Sequence, residues 1–388
     1  YIFLIDKNMI ELEKYQAGHF EKNLGYKYFV PSAINDEWTW KTPALNLLLE
    51  KAAIKLGELN SYARLVPNID LFIQLHVTKE AVVSSHIEGT KTNMDEALLP
   101  VEEIHPERRD DWQEVNNYIK ALNNAIEELK SLPISSRLLK ETHKILLQSV
   151  RGEHKLPGEF RTSQNWIGGT SLHDAVFIPP SHHLVNELMS DLEKFLNNDE
   201  INVPLLIRIA IAHYQFETIH PFLDGNGRIG RLMITLFLVS EGILDKPLLY
   251  PSLYFEKNKS LYYDNLSNVR TKNDMLQWIK YFLVGIEQSA AKAVETLSNI
   301  LKLKESIEKE INSNFGRRSN SAHTLVHFLF KDPVISIDKA AKECNLSFKA
   351  ANDLVALMQK SNYLKELTKQ SRNRIFIFEP YLKIFDND

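Results

Sequence analysis

The chain of 388 residues carries a net charge of −4, is 44% hydrophobic and 25% charged, and holds one cysteine. That is length enough for about two or three domains and a sizeable core, with the composition of an ordinary globular protein. The slightly acidic balance excludes a globally basic nucleic-acid binder, and no run approaches the ~18 apolar residues that a membrane span requires. Cys344 alone forms neither an intrachain disulfide nor a cysteine zinc cluster, so a reducing cytoplasm is the expected compartment.

Residues 1–43 read as a loop-like segment, rich in aromatics and carrying Pro31 and Pro43, that wraps the surface of the helical region after it. The apolar spacing then predicts helices over 44–62 and 68–86. The second runs into Ser84-Ser85-His86-Ile87-Glu88-Gly89, where the glycine supplies the left-handed residue that closes a helix. Glu88 therefore sits at the negative end of a helix dipole, an unfavourable place for a carboxylate that has no partner elsewhere.

Two more amphipathic helices follow over 110–132 and 135–150, each with an N-capping side chain. After Gly158-Glu-Phe-Arg161 come two short β-prone runs, Asn165-Trp166-Ile167-Gly168-Gly169 and Val176-Phe177-Ile178-Pro179-Pro180. They predict a hairpin with a glycine-bearing turn.

Helices from about 181 and about 204 lead to the densest chemistry in the chain, His220-Pro-Phe-Leu-Asp-Gly-Asn-Gly-Arg-Ile-Gly-Arg231. Ile229, Leu232, Met233, Leu236 and Phe237 recur at helical spacing, which puts Gly225, Asn226 and Gly227 at a helix N-terminus. Unpaired N–H groups and the positive end of the dipole make an anion site there, and glycines let the anion approach the backbone. Arg228 and Arg231 leave the same side of the first turns and can clamp phosphate oxygens. Asp224 offers a hard oxygen suited to Mg²⁺ beside a polyphosphate, and His220 stands where a neutral imidazole takes a proton from an incoming hydroxyl.

A helix over 258–270 carries Tyr262 and Tyr263. A long helical pattern over 273–312 has Ile286, Ala290, Ala293, Leu297, Ile300, Ile307 and Ile311 near heptad spacing, which fits a bridge between domains or the seam of a homodimer. The polar stretch 312–321, with Gly316, reads as a linker. Beyond it, three short helical patterns precede the alternating Arg374-Ile-Phe-Ile-Phe378, and the piece beginning at Ser336 resembles a helix-turn-helix with a wing. Its second helix, from Ser347, offers Lys349 and Asn352 as outward readers together with Asp353, so phosphate affinity is weak, and DNA binding and protein interaction stand as equal readings.

The string from His220 to Arg231 resembles, without departure, the signature of the Fic family (filamentation induced by cAMP), His-x-Phe-x-(Asp/Glu)-Gly-Asn-Gly-Arg-x-x-Arg. The resemblance implies nucleotide transfer, usually of AMP from ATP onto a hydroxyl side chain of a protein. It makes His220 the general base, Asp224 the Mg²⁺ ligand and Asn226 the residue that steers the α-phosphate. Gly225, Asn226 and Gly227 become the anion nest, and Arg228 and Arg231 the polyphosphate clamp. Related Doc toxins, which transfer phosphate, often carry lysine where this chain has Gly227, and glycine there favours AMP transfer.

Ser84-x-x-x-Glu88-Gly89 resembles the family's inhibitory motif, whose glutamate pairs with the second arginine, here Arg231. The hairpin resembles the flap that docks the target, which implies an open edge for strand addition, with Trp166, Ile167, Gly168, Gly169, Phe177 and Ile178 as its docking residues. Tyr263 resembles the tyrosine that contacts adenine, while Arg270 stands where some relatives have asparagine.

The expectation is a mainly α fold. A helical region over 1–105 carries the inhibitory motif, a Fic (Fido) helical core with a β-hairpin flap and bridging helix covers 106–312, and a winged-helix-like domain covers 313–388. The expected activity is that of a self-inhibited, cytoplasmic protein adenylyltransferase, without membrane association, that uses ATP and Mg²⁺ on a Tyr, Ser or Thr hydroxyl of a protein partner or of itself. Removal of AMP at the same site, with Glu88 activating water, is one alternative. A DNA-binding regulator whose Fic site senses nucleotide is another.

Overall fold

The computed structural model describes residues 9–23, 25–66, 68–150, 154–368 and 373–386. Its first described residues are not loop, as the sequence suggested, but strands. β1 (Met9–Glu11) pairs in parallel with β4 (Glu37–Thr39), and β2 (Gly18–Asn23) pairs antiparallel with β3 (Tyr26–Pro31). Pro31 misled the reading: it falls on the last residue of β3, opposite Gly18, where a strand can end without a ladder donor.

The helices follow the apolar periodicity closely. α1 (Pro43–Leu65) begins with proline at its first position and runs beside the long α11 (Met275–Asn314). Between them in sequence come α2 (Asp70–Ile87), α3 (Met94–Leu98), α4 (Arg109–Glu128), α5 (Ser136–Leu146), α6 (Val185–Leu196), α7 (Leu205–Ile219), α8 (Asn226–Ser240), α9 (Ser252–Lys257) and α10 (Lys259–Lys272). Sequence missed α3, which is only five residues long but is fixed by an Asn93–Glu96 capping box.

Two helices form the centre of the molecule. Every residue of α7 after Leu205 is buried, and α8 is buried from Asn226 to Leu238 apart from the partly covered Gly227. A helix apolar or covered on all sides must be enclosed by other elements, and α6, α4, α2 and α11 supply the enclosure. Trp278 of α11 donates its indole N–H to the carbonyl of Ala210 in α7 at 2.8 Å, which fixes the long helix against the centre. The tight connection between α7 and α8 is the stretch that holds His220 and Asp224.

The expected hairpin is reduced to one antiparallel bridge, Ile167 to Phe177, around a turn that Asp174 locks by accepting from the N–H and hydroxyl of both Thr170 and Ser171 at 2.7–2.9 Å. One backbone group expected to be open is used within the chain, since Phe29 N–H donates to the carbonyl of Ile178 at 3.0 Å.

The stretch 312–321 is no linker. α11 continues to Asn314, Phe315 is buried, and Gly316 in a left-handed conformation turns the chain through a short 3-10 turn into α12 (Ser319–Lys331). Then come β5 (Val334–Ser336), α13 (Ile337–Glu343), α14 (Phe348–Lys360), β6 (Lys365–Glu366) and β7 (Ile375–Ile377), whose strands form an antiparallel sheet in the order β5-β7-β6. A last helix, α15 (Glu379–Asp386), escaped the sequence reading because its eight residues give barely two turns of periodicity. α12 and α15 pack on α2: Phe72 meets Phe330 edge-on at 5.5 Å, His76 meets Phe385 at 5.2 Å, and the buried Lys79 ammonium donates to the carbonyl of Phe385 at 2.6 Å.

Candidate active site

α8 begins at Asn226 with Gly225 at its N-cap, and no side chain caps it. Gly225 adopts a left-handed conformation, φ 72° and ψ 6°, a requirement that glycine meets without strain. The helix start is therefore an anion site by construction. The Asn226 amide does not face outward, however: its oxygen accepts from Phe222 N–H and its nitrogen donates to the Phe222 carbonyl, both at 2.8 Å. It closes the loop of five residues that carries Asp224.

The anion that sits over this helix start is the chain's own Glu88. A Cβ placed on Gly227 would come within 2.3 Å of Glu88 Oε1 and 2.9 Å of Arg231 Nη1. Arg231, 1% exposed, donates from Nη2 to Glu88 Oε1 at 2.7 Å and to the Ser84 carbonyl at 2.8 Å, and from Nε to the Ser84 hydroxyl at 2.9 Å. Ser84 and Glu88 lie one turn apart on α2, so one face of that helix satisfies one guanidinium. Burial opposes the charge on each partner. The ion pair prevails, raising Arg231 and holding the Glu88 carboxyl below the ordinary carboxylate range.

Arg228 is also paired, through Nη1 to Glu114 of α4 at 2.9 Å, with both side chains buried; its Nη2 lies 3.7 Å from Asp224 Oδ1. Asp224 itself is nearly half exposed, and its Oδ1 accepts from Gly225 N–H at 2.6 Å.

His220 ends α7 in a left-handed conformation, φ 50° and ψ 59°, with its N–H on the Phe216 carbonyl at 2.9 Å. Its Nδ1 is buried and has no hydrogen-bond partner among the described residues. Burial above all, and then the nearby Arg161 charge, lowers its pKa to about 4, with Glu88 acting in the opposite sense. The ring is thus a neutral base at physiological pH.

Of the two tyrosines on α10, Tyr262 is core, its hydroxyl 2.8 Å from His213 Nε2. Tyr263 is 42% exposed, and burial first, then the Glu88 charge, push its hydroxyl up to about 12. At the flap, Phe177 and Ile178 are buried, while Trp166 is exposed, as are Gly168 and Gly169. The Arg270 guanidinium lies over the Phe177 ring at 3.8 Å, so the flap is stacked onto α10.

Residues 46–127 match the Fic/DOC family N-terminal model and residues 133–238 match the Fic/DOC family model. The chain carries both domains of the Fic/DOC family. Among relatives, a probable protein adenylyltransferase from Aquifex aeolicus is 27% identical over 177 residues, 46% of this chain and 52% of its own. Protein adenylyltransferase fic-1 from Caenorhabditis elegans is 31% identical over 138 residues, 35% of this chain and 24% of its own. The chain therefore spans about half of the first relative and about a quarter of the second.

Two crystal structures share the fold. A Fic family protein from Desulfovibrio desulfuricans has a TM-score of 0.54 at 20% identity, over 87% of this chain and 96% of that one. A Fic domain containing signalling protein from Bacteroides thetaiotaomicron has a TM-score of 0.51 at 20% identity, over 66% of this chain and 96% of that one.

The Fic core also uses residues that the sequence reading passed over. Glu114 holds Arg228. Glu80, one turn before Ser84 on the same face of α2, accepts from Tyr118 at 3.2 Å and from the Ser252 hydroxyl, and burial pushes it up to about 7. Glu217, at the end of α7, is buried, its Oε1 has no partner among the described residues, and burial likewise pushes it up to about 7. Arg161 and Asn165 bind the His220 carbonyl at 3.0 and 3.2 Å. The available signal was a charge on an apolar stripe: Glu114 lies among Val115, Tyr118 and Leu122, and Glu80 among Val77, Ala81 and Val83.

Proposed function

We propose that this Fic chain is a self-inhibited protein adenylyltransferase that moves AMP from ATP to a Tyr, Ser or Thr hydroxyl of a protein, its own chain included. One observation carries the reading: a neutral imidazole stands beside an uncapped helix N-terminus lined by two guanidinium groups. That is a phosphate cradle with a base at its rim. The adenylyltransferase names of the relatives support the nucleotide.

In this reading the triphosphate lies across the start of α8. Backbone N–H groups, Arg228 and Arg231 hold its oxygens, and Tyr263 borders the base. The acceptor hydroxyl attacks the α-phosphorus, its proton passes to His220, the bond to the β-phosphate oxygen breaks, and pyrophosphate leaves. Asp224 fits Mg²⁺, because a half-exposed carboxylate beside a polyphosphate is the donor set this ion prefers, with waters and phosphate oxygens completing its shell. When bound, the ion neutralises charge on the phosphates.

Glu88 sets the resting state. It occupies Arg231 and the space above Gly227 where phosphate oxygens would lie, which supports inhibition from within the chain. Incubation with ATP labelled at the α- or the γ-phosphate tests the reading. Label from the α position alone, retained on protein and absent with His220→Ala, is the expected result. Label from the γ position would make the chain a kinase and overturn it.

A further inference from the structure

The base sits on a turn that its own backbone does not favour. A left-handed residue bearing a Cβ persists only where its surroundings over-determine it, and here the surroundings are chiefly one residue. Arg161 is 2% exposed and reaches three successive carbonyls: Nη2 donates to Ile219 at 3.3 Å, Nε to His220 at 3.0 Å, and its backbone N–H to Pro221 at 2.8 Å. The same guanidinium donates from Nη1 to the Ser163 carbonyl at 3.2 Å and from Nη2 to the Pro180 carbonyl at 2.5 Å. Ser163 and Pro180 are the two roots of the flap.

We infer that Arg161 is the positioning residue of the base: one guanidinium fastens both roots of the flap to the turn that carries His220. A hydroxyl docked on the flap and the imidazole that takes its proton are thereby held in one register. The inference rests on the reading of His220 as base given above.

The choice of arginine follows from the donor geometry. Four side-chain bonds diverge from a planar fork to carbonyls on three separate segments, and a lysine has only three donors on one nitrogen. Among the described residues every hydrogen bond of this guanidinium goes to a carbonyl, so its positive charge stays uncancelled beside the imidazole. Asn165 assists, donating to the carbonyls of His220 and Phe222 at 3.2 and 2.9 Å. Arg161 has a second effect through that charge, since it contributes to lowering His220 to about 4.

Two substitutions in the full chain separate fork from charge. Arg161→Lys keeps the charge and loses the fork; Arg161→Gln loses both. Transfer rate with α-labelled ATP, ATP affinity by calorimetry and the His220 ring titration by NMR are read on each. Arg161→Lys is expected to lower kcat by about a hundredfold, the scale of a 1 Å misplacement, with ATP affinity and the His220 titration close to wild type. Arg161→Gln is expected to lose as much and to raise the His220 titration; should it not fold, the lysine variant decides.

A kcat for Arg161→Lys within about twofold of wild type would overturn the inference. So would a loss accounted for by weaker ATP binding or by a lower melting temperature. Wild type without His220-dependent transfer would sink the proposed activity instead. The ring titrations then decide for Arg161: a shift in the glutamine variant supports its hold on His220, and none refutes it.

Discussion

Replacing Glu88 by glycine should switch the enzyme on. The structure gives the size of the effect. Arg231 is 1% exposed and its bond to Glu88 is 2.7 Å long, so the lock is a charge-assisted hydrogen bond with one partner fully desolvated. Such bonds contribute about 1.5–3 kcal/mol. Glu88 keeps 34% of its side chain in solvent, which argues against anything larger. At about 1.4 kcal/mol per decade, the release raises transfer by about tenfold to a hundredfold.

The assay is the initial rate of α-label incorporation at saturating ATP, with calorimetry confirming that both proteins bind nucleotide. Arg231 is not stranded in the variant, because Ser84 still accepts two of its hydrogen bonds. The double variant Glu88→Gly with Arg231→Ala should lose most of the gain, since the freed arginine is what benefits. Equal labelling by wild type and Glu88→Gly, both folded and loaded with ATP, would refute the lock. Loss of an AMP-removing activity that wild type possesses would make the reverse reaction the better account.

His220→Ala should bind ATP normally and lose transfer by 10²–10⁴-fold, and the acid limb of kcat/KM in wild type should fall near pH 4; a limb at about 6.5 would mean that the ring is solvated. Glu217→Gln should stabilise the protein at pH 8 and leave it unchanged at pH 4. The folded carboxyl, raised to about 7 from 4.5, binds its proton more tightly than the unfolded one, so stability is greatest below 4.5 and is lost as pH rises through 7. The gain at pH 8 is about 3 kcal/mol, read by denaturant titration; a wild-type midpoint at both pH values would show the carboxylate to be solvated. Removing α15 strips His76 and the buried Lys79 of their cover and should raise basal transfer by loosening α2, with wild-type activity as the refuting result.

What could be read from the sequence depended on how far apart the partners lie along it. The His220–Arg231 site was legible because base, cradle and clamp fall within twelve residues ahead of an apolar stripe. Glu88 was legible as a misfit, a carboxylate at the wrong end of a helix, and its partner stands 143 residues away in the chain. Glu114 showed only as a charge on an apolar stripe and Arg161 gave no sign, since each acquires its role from a guanidinium group or from carbonyls that only folding brings near. The strands at the start of the chain were hidden by a proline that ends a strand, and α15 by its shortness.

Gly227 joins the two functions assigned to the site. A phosphate oxygen needs backbone without a side chain in order to meet the N–H groups at the start of α8, and the same bare backbone is what Glu88 requires, since a Cβ would stand 2.3 Å from its oxygen. In the proposed function, inhibitor and nucleotide compete for one surface and one arginine. The helix that delivers the inhibitor has one face on Arg231, through Ser84 and Glu88, and another on the tail, through Phe72, His76 and Lys79. A displacement that moved the end of α2 by about 1 Å would carry the 2.7 Å bond beyond hydrogen-bonding distance. In the proposed function, the strength of the lock depends on how firmly α2 is held as well as on Glu88 itself.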